Sequence, residues 1–189
     1  MTTPPADLDL TLVVGLGSPD RGDDAVGPAI ARRVAAMRLT GIEVVEREDP
    51  TSLIDLWGGR DLAVVVDAVS SGGVPGALVI MECGVGAAPL QQDAWTRTGR
   101  GGTHAFGLAA AVELARALNR LPRRLVLVGI EVGRLEHGAP LSEPVRGAVG
   151  PAVDSIRGLL SEPGVPAGRP HPEFGRNEPP LQPHSGSDR

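Results

Sequence analysis

Carboxylates at the ends of apolar segments are where this sequence could do chemistry. The run LAVVVD stops abruptly on Asp67, and Asp23-Asp24 stand eight to nine residues past Gly15, where the first helix should begin. A third group is His104, delivered by Gly101-Gly102-Thr103 to the start of another helix. Each has an ordinary structural explanation. Aspartate after a strand forms turns, aspartate at a helix start caps the helix and suits its dipole, and a helix-start histidine can hydrogen-bond locally. Taken together, one imidazole and two carboxylates make a donor set suited to a borderline divalent metal. In a parallel sheet, ligands bind beyond the carboxyl ends of the strands, and both acidic positions fall there. An acidic, solvent-accessible crevice is expected.

The remaining polar groups narrow the chemistry. All 18 basic residues are arginine, and the chain has no lysine and no tyrosine. A Schiff-base lysine and a P-loop lysine are therefore excluded. Gly15-Leu16-Gly17 opens like a dinucleotide-binding loop, but Asp20 stands where the third glycine belongs. Asp20, Asp23 and Asp24 place negative charge where a pyrophosphate needs N–H groups and positive potential, so the loop points to a cation or an electrophile. Ser70 and Ser71 lie near Asp67, yet no G-x-S-x-G elbow exists to make either a nucleophile. His137, in LEHGAP, reads as a surface turn, with substrate contact as its functional alternative. Cys83 reads as packing. As the single cysteine it allows neither an internal disulfide nor a Cys-based zinc site.

A net charge of −5 over 189 residues argues against nucleic-acid binding, which needs a basic face. No apolar stretch approaches the ~18 residues of a membrane span. Met1–Asp9 has neither the basic nor the apolar region of a signal peptide, so the cytoplasm is expected.

Strands are expected over Thr11–Leu16, Ile42–Glu46, Leu62–Val66 closed by Asp67, Ala77–Met81 and Leu125–Ile130. Helices are expected over Asp24–Met37, Thr51–Trp57, His104–Leu121 and Pro144–Leu160, the last kinked or restarted at Pro151. Alternation of the two predicts an α/β fold, a three-layer α/β/α sandwich with a mostly parallel, twisted sheet of about five strands. Residues 1–9 read as a flexible N-terminus and 10–160 as one domain. Residues 161–189 hold seven prolines and four glycines with little to bury, the composition of a disordered tail.

The segment Gly15-Leu16-Gly17-Ser18-Pro19-Asp20-Arg21-Gly22-Asp23-Asp24-Ala25-Val26-Gly27 resembles the N-terminal motif of the hydrogenase maturation endopeptidases. Asp67-Ala68-Val69 resembles that family's second motif, and Thr103-His104-Ala105-Phe106-Gly107-Leu108 its third. The stretch LVLVGIEVGRLEHGAPLSEPV is also similar, so the likeness runs from about Thr11 to Leu160. The resemblance implies a monomeric endopeptidase that cleaves the C-terminal extension from a nickel–iron hydrogenase large-subunit precursor. It implies that Asp24, Asp67 and His104 are the catalytic and metal-contacting positions. The nickel would arrive with the precursor, with no tightly bound cofactor in the protease itself. Ser18 departs from the family's usual Asn, which leaves the loop shape expected and any Asn side-chain contact in doubt. A non-enzymatic nickel-site checkpoint using the same residues is the alternative.

Overall fold

The computed structural model describes residues 11–89 and 107–162, and in it the apolar runs become a five-stranded sheet. The strands β1 (Thr11–Leu16), β2 (Ile42–Arg47), β3 (Leu62–Val69), β4 (Leu78–Glu82) and β5 (Arg124–Glu131) stand in the order β2-β1-β3-β5-β4. All neighbours are parallel except β4, which runs antiparallel to β5 at one edge. β3 is buried at every position and β5 at all but its first, which is why both read as continuous apolar runs without alternation.

Among the described residues four α-helices cover the faces: α1 (Val26–Ala36), α2 (Leu53–Trp57), α3 (Leu108–Ala117) and α4 (Glu143–Ser161). On one face Ile30 and Val34 of α1 and Val149 and Ile156 of α4 pack on Val13, Val64 and Val128. On the other, Leu53 and Trp57 of α2 and Leu108 and Val112 of α3 pack on Leu12, Val14, Val65 and Leu127. The result is the expected three-layer α/β/α sandwich. Among the described residues no helix is long and apolar enough to cross a membrane.

The structure corrects several boundaries. β3 continues to Val69, so Asp67 lies inside the strand, paired in register with Gly129 of β5. Asp23 and Asp24 belong to a 3-10 turn, Gly22–Ala25, that precedes α1. The second helix likewise begins with a 3-10 turn, Pro50–Ser52. Pro151 does not interrupt α4, which runs through it for 19 residues. The carbonyl deprived of its partner is that of Gly147, on the exposed side of the helix. The helix expected over His104–Leu121 is α3, which the described residues show over Leu108–Ala117, ending four residues short of Leu121. Residues 104–106, the N-terminus to residue 10 and the tail from residue 163 lie outside the described residues. Ser161 still belongs to α4, and Glu162 pairs with Arg124 at 2.7 Å.

The chain leaves β1 by α1 on one face, and reaches α3 on the opposite face after β3 and β4. β2 lies to one side of β1 and β3 to the other, so the topological switch point falls between the carboxyl ends of β1 and β3. Gly27 lets α1 close down on this point. A Cβ there would lie 2.2 Å from the Leu16 carbonyl oxygen and 2.7 Å from that of Val66, both backbone atoms of the sheet. Gly27→Ala is expected to cost about 3 kcal/mol of stability, at the upper end of ordinary overpacking. A urea unfolding midpoint equal to the wild type would overturn this reading of the contact.

Candidate functional site

Four charged side chains are buried among the described residues, Asp23, Asp24, Asp67 and Glu131, and all lie at the carboxyl edge of the sheet. An ionised carboxylate is expensive to bury unless hydrogen bonds replace its hydration. Such a concentration at one edge needs a reason beyond packing.

Asp24 is positioned by the loop that follows β1. Gly17, at φ +135°, turns the chain back so tightly that a Cβ there would meet the Asp24 carbonyl oxygen at 2.1 Å. The backbone N–H of Ser18 then donates to Asp24 Oδ2 at 3.0 Å. Because that contact is made by the main chain, serine in place of asparagine leaves it intact. Neither the 3-10 turn nor α1 has a side-chain cap, so Asp24 is not there to cap a helix.

Asp67 is fully buried on the central strand, and its Oδ1 accepts the N–H of Ala68 at 2.9 Å. It is not a turn former. The 3-10 turn carrying Asp24 packs against β3, so the two carboxylates sit on touching elements at the switch point. Both are buried, Asp67 at 0 % and Asp24 at 4 % exposure, where an open crevice was expected. His104 lies outside the described residues. Among the described residues no three His, Cys, Asp or Glu side chains form a metal-holding group, so the two carboxylates do not make a ligand set by themselves.

Two further carboxylates have roles that the sequence reading missed. Asp23, adjacent to Asp24, faces away toward the connection between β5 and α4, where its carboxylate accepts from Gly133, Arg134 and Ser142. Glu131 ends the run LVLVGI on β5 and accepts from three successive N–H groups, those of Ser71, Gly72 and Gly73. Its signal was the same as that of Asp67, a charge ending an apolar strand. Ser71 Oγ donates to Glu131 at 2.7 Å, which gives that hydroxyl a structural partner. His137 sits exposed in the turn before Gly138.

Cys83 follows β4 and is buried in the core beside α3, as packing requires. Burial pushes its thiol up to about 11, opposed in part by the guanidinium of Arg116.

A mostly parallel α/β sandwich with buried carboxylates at the switch point has the architecture of ligand-binding α/β folds, and comparison with known proteins makes the class specific. The family model described as hydrogenase maturation protease matches residues 48–158. The hydrogenase 2 maturation protease of Escherichia coli K12 is 28% identical over 160 residues, covering 82% of this chain and 93% of that protein. The solved hydrogenase maturating endopeptidase HybD from E. coli superposes with a TM-score of 0.65 at 23% identity, over 79% of this chain and 91% of that one. The hydrogenase 2 maturation peptidase of a Thaumarchaeota archaeon gives a TM-score of 0.55 at 26% identity, over 80% and 97%. The chain belongs to the hydrogenase maturation protease family, whose members are peptidases.

With no lysine and no tyrosine, Cys83 is the one side chain that titrates between pH 9 and 11. The unfolded thiol ionises near its ordinary value of about 9, whereas the folded thiol stays protonated to about 11. Stability is therefore whole below the ordinary value and falls as pH rises through this window. Urea midpoints measured across it should decline for the wild type and stay level for Cys83→Ala. Equal slopes in the two proteins would contradict the assignment.

Proposed function

We propose that this protein is an endopeptidase that removes the C-terminal extension from the nickel-loaded large-subunit precursor of a nickel–iron hydrogenase. Membership of the maturation protease family carries the reading. It is supported by two buried carboxylates, Asp24 and Asp67, on touching elements at the switch point. In this reading Asp24, Asp67 and His104 contact the nickel already seated in the precursor, so the metal is part of the substrate. The donor set fits such an ion: carboxylate oxygens and imidazole suit borderline divalent metals, and negative potential at the sheet edge favours a cation. A metal held beside the scissile bond supplies Lewis acidity toward its carbonyl or toward water. The chain's own part is to hold that metal in place and to present the peptide to it. The protein acts as a monomer in the cytoplasm, on a protein substrate and without nucleic acid.

One imidazole and two carboxylates lack the thiolates and extra imidazoles of tight structural zinc sites. The isolated protein is therefore expected to purify without stoichiometric metal, and cleavage to require nickel in the precursor. Metal analysis and processing of precursor with and without nickel check both points. One tightly bound zinc per chain, with cleavage indifferent to nickel, would instead indicate an ordinary metalloprotease.

Asp24→Asn, Asp67→Asn and His104→Ala should each reduce processing by about 100-fold or more while the far-UV spectrum stays native. The two Asp→Asn changes preserve side-chain volume, so they leave no cavity. The mass of the large subunit after mixing is the readout. A variant that processes at the wild-type rate would remove its residue from the site, and binding without any mass change would make the protein a checkpoint instead of a peptidase.

A further inference from the structure

The segment from Glu131 to Ser142 holds the supports of both candidate carboxylates at once. Glu131 stands beside Val69 in register, two residues beyond the level of Asp67. Its carboxylate accepts from Ser71 N–H at 2.9 Å and Ser71 Oγ at 2.7 Å, and from the N–H groups of Gly72 and Gly73 at 3.0 Å each. Its main chain adds a bond from Gly76 N–H and one to the Ala77 carbonyl. The chain leaving Asp67 is thereby held at Ser71–Gly73 and again at Gly76 and Ala77 on its way to β4.

Two residues further on, the same segment takes hold of the turn that carries Asp24. Asp23 accepts from Gly133 N–H at 3.1 Å, Arg134 N–H at 2.9 Å, Ser142 N–H at 2.6 Å and Ser142 Oγ at 2.9 Å. The Asp23 N–H returns a bond to the Arg134 carbonyl at 2.8 Å, and Gly138 N–H donates to the Asp20 carbonyl at 2.7 Å. Gly22, at φ +54°, fits against this segment so closely that a Cβ would meet the Arg134 carbonyl at 2.7 Å.

We propose that Asp23 and Glu131 are positioning residues that fix the placement of Asp24 relative to Asp67 through their common frame, Glu131–Ser142. An apolar side chain could fill either position without a charge to desolvate. What a carboxylate with four donors adds is direction, because both of its oxygens are held at once. Neither residue touches substrate. The inference rests on the reading of Asp24 and Asp67 as the nickel-contacting pair, and the experiment separates the two.

Nickel(II) alone is titrated calorimetrically into the tag-free full chain, alongside thermal melts and single-turnover processing of nickel-loaded precursor. Asp24→Asn tests the site itself and should abolish both nickel binding and processing. Asp23→Asn and Glu131→Gln should each weaken nickel affinity and slow processing by about 10–100-fold, with stoichiometry unchanged. Ile156→Ala, in the core under α4, supplies a control that loses melting temperature while processing normally. Where the free ion binds too weakly to titrate, the single-turnover rates carry the same comparison. If Asp23→Asn does not fold, Ser142→Ala, which removes only the hydroxyl donor, should still slow processing beyond a control of equal melting temperature. Wild-type nickel affinity and rate in these variants, with Asp24→Asn inactive, would overturn the positioning role and leave the function standing. An active Asp24→Asn would overturn the site reading first.

Discussion

A carboxylate taken out of water costs several kcal/mol unless hydrogen bonds or opposite charge replace its hydration. This fold accepts that cost repeatedly at one edge of its sheet, at Asp23, Asp24, Asp67 and Glu131. The local architecture follows from meeting it. The loop after β1 turns back so that Ser18 N–H reaches Asp24, and the loop after β3 curls so that three successive N–H groups reach Glu131. The connection between β5 and α4 is shaped around Asp23 in the same way. Removing Asp23 or Glu131 would release the main-chain donors that now converge on it and leave them to water, and the loops they anchor would lose their common acceptor.

The faces of the sheet impose no such demands. Val13, Val64 and Val128 on one side and Leu12, Val14 and Leu127 on the other are fully buried and need only apolar partners from the helices. That requirement is written in the sequence as short Val/Leu runs and helical spacing, so most strands and helices were legible within a residue or two. The direction of β4 was not, because a strand's pattern is the same read either way. The extent of β3 was missed because a charge at Asp67 looks like an end, whereas pairing with Gly129–Glu131 carries the strand on. The course of α4 through Pro151 was missed because one proline costs a single internal hydrogen bond, here at the exposed Gly147, within a helix whose apolar stripe is otherwise continuous.

The site was legible to a different depth. Asp24 and Asp67 could be singled out because acidic residues following apolar runs at strand ends are unusual. Asp23 and Glu131 met the same criterion, but their meaning lies in donors more than fifty residues away in sequence, at Ser71–Gly73 and Gly133–Ser142. Adjacent aspartates therefore separate into two roles, one turned toward the switch point and one toward the frame. No local pattern distinguishes them. The departure at Ser18 illustrates the converse, since a contact made by the main chain persists when the side chain changes.

The acidic edge also bears on what can approach it. Ionised carboxylates on touching elements would repel one another, and more strongly where water is excluded. An anionic ligand would add to that repulsion, which is why a phosphate-binding reading of the Gly15–Gly17 loop fails on electrostatic grounds as well as on the missing third glycine at Asp20. A divalent cation would relieve it. A site with only two carboxylates from these elements nonetheless satisfies a small part of such an ion's coordination shell. In the proposed reading, a metal that arrives already ligated by another protein completes the shell that these groups leave open. On that reading, a donor set too small to hold a free ion tightly is what would let the protein discriminate a metal carried by its partner.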